Sequence, residues 1–81
     1  MIINFHDSPN FREKVQKSTK LSNQLSCWAY AMDCLNNEYW KESYTVHIRL
    51  ENDLVLVTTE NTDLMKRLNS IFQQAITKLN Y

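Results

Sequence analysis

An 81-residue chain with nine basic and nine acidic residues, one proline, two cysteines and no glycine is expected to be one domain with a modest core. A chain of this length buries roughly 60 to 65% of its unfolded surface, so its stability is expected to be marginal unless a partner covers more. Zero net charge argues against strong autonomous nucleic-acid binding, since phosphate neutralisation supplies most non-specific affinity. The lack of glycine excludes phosphate-cradling glycine loops and hands any left-handed backbone position to asparagine or aspartate.

No apolar run approaches the roughly 20 residues of a membrane span, and no signal-peptide pattern is present, which reads as a soluble cytoplasmic protein.

In chain order, Met1 to Phe5 holds Ile2, Ile3 and Phe5 and is a candidate short strand. Asp7-Ser8-Pro9 suits a helix start, because a proline in the first turn gives up an N–H that has no intrahelical partner there. Phe11 and Val15 follow four apart, and Lys17-Ser18-Thr19-Lys20 then carries no apolar residue and includes weak helix formers. Residues 1–20 therefore read as an N-terminal segment with a possible strand and helix, and residues 21–81 as the main α-β-β-α domain.

Leu21, Leu25, Trp28, Met32 and Leu35 step by four, three, four and three, the stripe of a helix that is expected to end near Asn36-Asn37. At 100° per residue, Cys27, Tyr30, Ala31 and Cys34 form a second apolar surface away from that stripe. Either the N-terminal segment folds over it with Phe5, Phe11 and Val15, or it docks another protein with Tyr30 as an aromatic anchor. Tyr39 and Trp40 face the same choice between capping the core and serving as exposed contacts.

From Tyr44 to Leu50 the apolar residues Tyr44, Val46, Ile48 and Leu50 alternate with Thr45, His47 and Arg49, the pattern of a strand with one buried face. Glu51-Asn52-Asp53 makes the turn. Leu54-Val55-Leu56-Val57-Thr58-Thr59 is a second strand that is apolar on both faces, as expected of a strand covered from two sides. Thr59-Glu60-Asn61-Thr62-Asp63 then offers oxygen-bearing side chains to the free N–H groups of a helix start. From Leu64 the period becomes 3.6, and Leu64, Leu68, Ile71, Phe72, Ala75, Ile76 and Leu79 share one face for roughly four turns.

Charge is uneven along this frame. Residues 1–20 hold four basic residues against two acidic, Lys66, Arg67 and Lys78 are unopposed in residues 66–78, and residues 33–63 hold seven acidic residues against two basic. Nucleic-acid contact is therefore limited to a local patch, for which Arg49, Lys66 and Arg67 are the candidates; the alternative is that these charges form solvated faces.

Catalytic and metal chemistry find little footing. Cys27 and Cys34 are seven apart, about 10 Å along a helix, which suits neither a disulfide nor a chelating pair. His6 and His47 complete no known metal-ligand spacing, and the carboxylates are scattered singly along turns and helix ends. No enzyme, metal or cofactor is expected.

The run Leu35-Asn36-Asn37, Glu38-Tyr39, Val46-His47-Ile48-Arg49, Asn52-Asp53, Leu54-Val55-Leu56-Val57, Glu60-Asn61-Thr62-Asp63 and Leu64 to Leu68, closing with Lys78-Leu79-Asn80, resembles the N-terminal domain of DciA-type proteins. These are bacterial operators or loaders of the replicative DNA helicase with a KH-like fold of helices on a small antiparallel sheet. The resemblance implies an α+β fold of two layers, a hairpin packed by two main helices, with Ile2 to Phe5 standing in for the family's further strand. It also implies a non-enzymatic module that binds a replicative helicase and, weakly, single-stranded DNA. The competing expectation is a stand-alone adaptor or inhibitor, of the phage or plasmid kind, that binds one host protein through Tyr30, Tyr39 and Trp40.

Overall fold

The chain runs β1 (Ile2–Phe5), α1 (Ser8–Lys17), α2 (Thr19–Tyr39), β2 (Thr45–Glu51), β3 (Leu54–Thr59) and α3 (Thr62–Leu79) in a computed structural model that describes residues 1–79. The Asn80 of the closing motif and Tyr81 lie outside the described residues. The fold is α+β, with three helices and, among the described residues, one mixed sheet in the order β1-β2-β3. β2 and β3 form the expected antiparallel hairpin, with Val46 opposite Thr59, Ile48 opposite Val57 and Leu50 opposite Val55. The candidate N-terminal strand is real and completes the sheet, pairing parallel to β2 with Ile3 beside Val46 and Phe5 beside Ile48.

Left-handed backbone falls on the two residue types that a glycine-free chain must use. Asp7, at φ 54°, turns the chain from β1 into α1, and Asn52, at φ 56°, opens the two-residue loop of the hairpin. Ser18 ends α1 and starts α2: its extended backbone breaks the helix, and its hydroxyl accepts the Leu21 N–H at 3.2 Å. Asn61 caps α3 in the same way, its carboxamide oxygen accepting the Leu64 N–H at 3.0 Å.

One core joins all the elements. Val46, Ile48, Leu64 and Leu68 are its most deeply buried large side chains, surrounded by Leu21, Trp28, Ala31, Met32, Leu35, Val55 and Val57. Phe11 of α1 is buried among them and meets Phe5 edge to face, ring centroids 5.2 Å apart. Residues 1–20 thus supply a strand of the sheet and an aromatic side chain of the core.

Three further expectations are corrected. The first long helix runs past Asn36-Asn37 to Tyr39, because Tyr39 is buried and draws another turn of helix onto the core. The apolar stripe of α3 is core only at its start: Leu64 and Leu68 are fully buried, Ile71 and Phe72 are partly covered, and Leu79 is 52% exposed where the helix outruns the sheet. β3, expected to be covered on both faces, is a sheet edge. Its Val55 and Val57 face the helices, whereas Leu54 lies on the opposite, uncovered face and is 52% exposed.

Candidate functional site

Helix α2 is the longest element and divides the surface around it. One flank, carrying Cys27, Ala31 and Cys34, turns toward α3, so it is the C-terminal helix and not the N-terminal segment that covers the second apolar surface. Cys27 and Ala31 are buried there, and burial pushes the Cys27 thiol above its ordinary pKa, as befits a small apolar side chain. Cys34 stays exposed. The cover is incomplete, and a shallow groove of about 380 Å³ remains between the helices, lined by Tyr30, Cys34, Ile71, Gln74, Ala75 and Lys78.

Tyr30 stands at the rim of this groove with 58% of its surface exposed. The neighbouring Cys34 thiol, one turn away, holds its phenol above its ordinary pKa. On its other side a second groove, about 630 Å³ and mostly apolar, runs between α2 and β1 and is lined by Ile3, Phe5, Leu25, Ala29, Met32 and Asp33 among others. Trp40, 62% exposed, follows the last turn of α2, with the Lys41 ammonium 5.4 Å from its ring centroid.

Tyr39 takes the other of its two options. It is only 9% exposed, its hydroxyl bonds to the Asp63 carboxylate at 2.6 Å, and the Arg67 guanidinium lies over its ring at 5.8 Å. This ties the end of α2 to the first turns of α3 and removes Tyr39 from the contact surface. The hydrogen bond to Asp63 is the main reason its phenol is raised above the ordinary value.

The three cations proposed for nucleic acid do not share a patch. Arg67 forms a two-pronged ion pair with Glu38, one arm at 2.8 Å, which lowers the Glu38 carboxyl below its ordinary range and raises the guanidinium. Arg49 alternates with buried Ile48, so it points to the open face of the sheet, whereas Lys66 lies on the side of α3 away from buried Leu64 and Leu68. The two free cations thus stand on opposite sides of the molecule.

Arg49 lies instead near His6, Asn10 and Lys14. There His6 and His47 meet side by side, His6 Nε2 to His47 Nδ1 at 2.9 Å, an arrangement in which one imidazole donates and the other accepts. Sequence spacing hides this pair because 41 residues separate its members and only the parallel β1–β2 register joins them. Among the described residues no third His, Cys, Asp or Glu completes a metal-binding group.

No helix among the described residues is long and apolar enough to cross a membrane. Neither a protein-family model nor a curated protein nor a solved structure matches this chain.

Proposed function

We propose that this chain is a non-enzymatic protein-interaction module, acting in the manner of a replicative-helicase loader domain, that grips its partner through Tyr30 and the α2–α3 groove. The observation that carries this reading is the exposure of Tyr30 beside Ile71 and Ala75 on a packed pair of helices. A rigid aromatic side chain over an apolar groove is the usual make-up of a binding hot spot, because it buries much area while losing few rotamers. Trp40 is a second exposed aromatic side chain, about 15 Å along the helix axis from Tyr30.

A second reading, an adaptor or inhibitor that binds one host protein without touching DNA, draws on the same surface. It is favoured by the engagement of Arg67 with Glu38 and by the separation of Arg49 from Lys66, which leave little to hold a phosphate backbone. Titration calorimetry of the chain against purified replicative helicase separates the two. Micromolar or tighter binding that weakens in Tyr30→Ala supports the loader reading, and no heat of binding transfers the surface to another host protein.

A further inference from the structure

The two edges of the sheet are finished differently. On β3, side chains from α2 replace a neighbouring strand: Gln24 accepts the Val55 N–H at 2.9 Å and Trp28 Nε1 donates to the Val55 carbonyl at 3.1 Å. Among the described residues β1 has no such bridge. Its ladder to β2 uses Ile2, whose N–H reaches the Tyr44 carbonyl at 2.7 Å, and ends with the His6 N–H on the Ile48 carbonyl at 2.9 Å. Residues of a parallel strand alternate in the direction of their backbone groups, so Ile3 and Phe5 turn theirs outward along the free edge. Their side chains are 44% and 42% exposed, and the strand contains none of the charges or prolines that ordinarily guard an edge.

We infer that β1 is the seam of a homodimer, in which β1 of a second copy adds antiparallel to this edge and makes one six-stranded sheet. The edge is complementary to itself. A two-fold axis at Asn4 sets Ile3 of each copy opposite Phe5 of the other, and outward-facing groups at alternate residues are what such hydrogen-bonded pairs require. Ile3 and Phe5 of the arriving strand lie on the side of the apolar groove above Leu25, Ala29 and Met32, which has no other cover among the described residues.

Charge points to the same occupant. Arg12 borders the hollow beside Phe5, and Asp33 borders the groove beside Ile3. Reversing the strand direction brings Arg12 of each copy to the end of the seam where Asp33 of the other stands. The chain has zero net charge, so two copies approach without mutual repulsion. This inference does not depend on what the Tyr30–Ile71 groove on the other flank of α2 binds.

The test is sedimentation equilibrium on the intact chain, with two sets of variants. The parent is expected to show twice the monomer mass at high micromolar concentration. Ile3→Lys is expected to be monomeric with unchanged circular dichroism, because Ile3 is already 44% exposed and lies outside the core cluster. Arg12→Glu and Asp33→Arg, both at exposed positions, should each weaken dimerisation at least threefold, and the double swap should restore it. Restoration identifies a second copy of this chain and not a foreign strand.

In a Cys34→Ser background, Asn4→Cys is expected to cross-link rapidly on mild oxidation. Residues facing each other in a non-hydrogen-bonded antiparallel pair have Cα atoms about 4.5 Å apart, within the range of about 4.4 to 6.8 Å for disulfides. A parent chain that stays monomeric at hundreds of micromolar, or an Asn4→Cys thiol that cross-links no faster than one at Gln73 on α3, overturns the proposal.

Discussion

Gln24 occupies the place a fourth strand would take beside Val55. Its carboxamide accepts the Val55 N–H at 2.9 Å and donates to the Asp53 carbonyl at 2.8 Å, so one helical side chain serves two backbone groups at the hairpin end of β3. Gln24 is itself 8% exposed, a buried polar residue on a helix that otherwise buries apolar ones, and its hydrogen bonds explain why the position is polar. Gln24→Ala should therefore cost about 1 to 3 kcal/mol, since it leaves a buried Val55 N–H without a partner. Trp28→Phe keeps an aromatic ring facing Phe72, whose centroid lies 3.9 Å away, but deletes part of a buried indole together with the bond to the Val55 carbonyl. If edge capping secures β3, it should cost less than Gln24→Ala in urea unfolding; the reverse order would mean that the packing of Trp28 against Phe72 does so.

The gradient of burial along α3 predicts a matching gradient of stability. Leu68 is fully buried against Val46 and Ile48, so Leu68→Ala should cost about 2 to 5 kcal/mol, enough to unfold much of a marginal domain. Ile71→Ala, at a partly covered position, should cost less, and Leu79→Ala close to nothing. Equal melting temperatures for the Leu68 and Leu79 variants would contradict this account of the core.

Local signals in the sequence were sufficient for the elements and insufficient for their partners. Period-2 alternation marked β2, Asn52 marked the turn, and the change of period at Leu64 marked α3, because each depends on residues a few positions apart. The stripes also showed which faces of the helices are apolar, but not which neighbour covers each one. That α3 covers Cys27 and Ala31 depends on how two helices separated by the whole β-hairpin cross, and the His6–His47 contact depends on a strand register that no local pattern records. Tyr39 and Trp40 are adjacent aromatic residues with opposite fates, and the difference is made by Asp63 and Arg67, more than 20 residues downstream.

The Glu38–Arg67 pair gives the domain a dependence on acid. Glu38 has its folded value depressed, chiefly by the hydrogen bonds from Arg67, so its contribution is present above the ordinary glutamate value of 4.5 and is lost as pH falls through the depressed folded value. Both side chains are substantially exposed, so the effect is modest and screened by salt. Glu38→Gln should lower the melting temperature slightly at neutral pH and match the parent once the carboxyl is protonated in acid. A difference that is constant from neutral pH down to acid would show that the side chain acts through packing and not through its charge.

Nucleic-acid binding should be weak or undetectable for a geometric reason. With Arg67 held by Glu38, and Arg49 and Lys66 on opposite sides of the molecule, a single strand cannot meet all three cations at once. Each phosphate contact to single-stranded DNA contributes about 0.7 to the logarithmic salt slope, so binding through isolated lysines or arginines should stay near that value. Fluorescence anisotropy with a labelled oligonucleotide at low salt checks this. Saturable binding with a slope above about 1.4, the signature of two or more phosphates held together, would revive a DNA-binding surface.

Partner binding and folding should separate cleanly in this protein, because the exposed aromatic residues lie outside the core that holds it together. Tyr30→Ala removes a side chain that is 58% exposed and Trp40→Ala one that is 62% exposed, so neither should shift the melting temperature as Leu68→Ala does. If the α2–α3 groove is the docking surface, Tyr30→Ala should weaken partner affinity at least tenfold, about 1.4 kcal/mol, and Ala75→Glu, which places a charge in the same groove, should do so as well. Tyr39→Phe supplies the opposite control. It deletes the hydroxyl bonded to Asp63 and should lower stability while leaving partner affinity within about twofold, since the ring stays buried. A Tyr39→Phe variant that folds normally yet loses its partner, alongside a Tyr30→Ala variant that keeps it, would move the docking surface to the end of α2 and away from the groove.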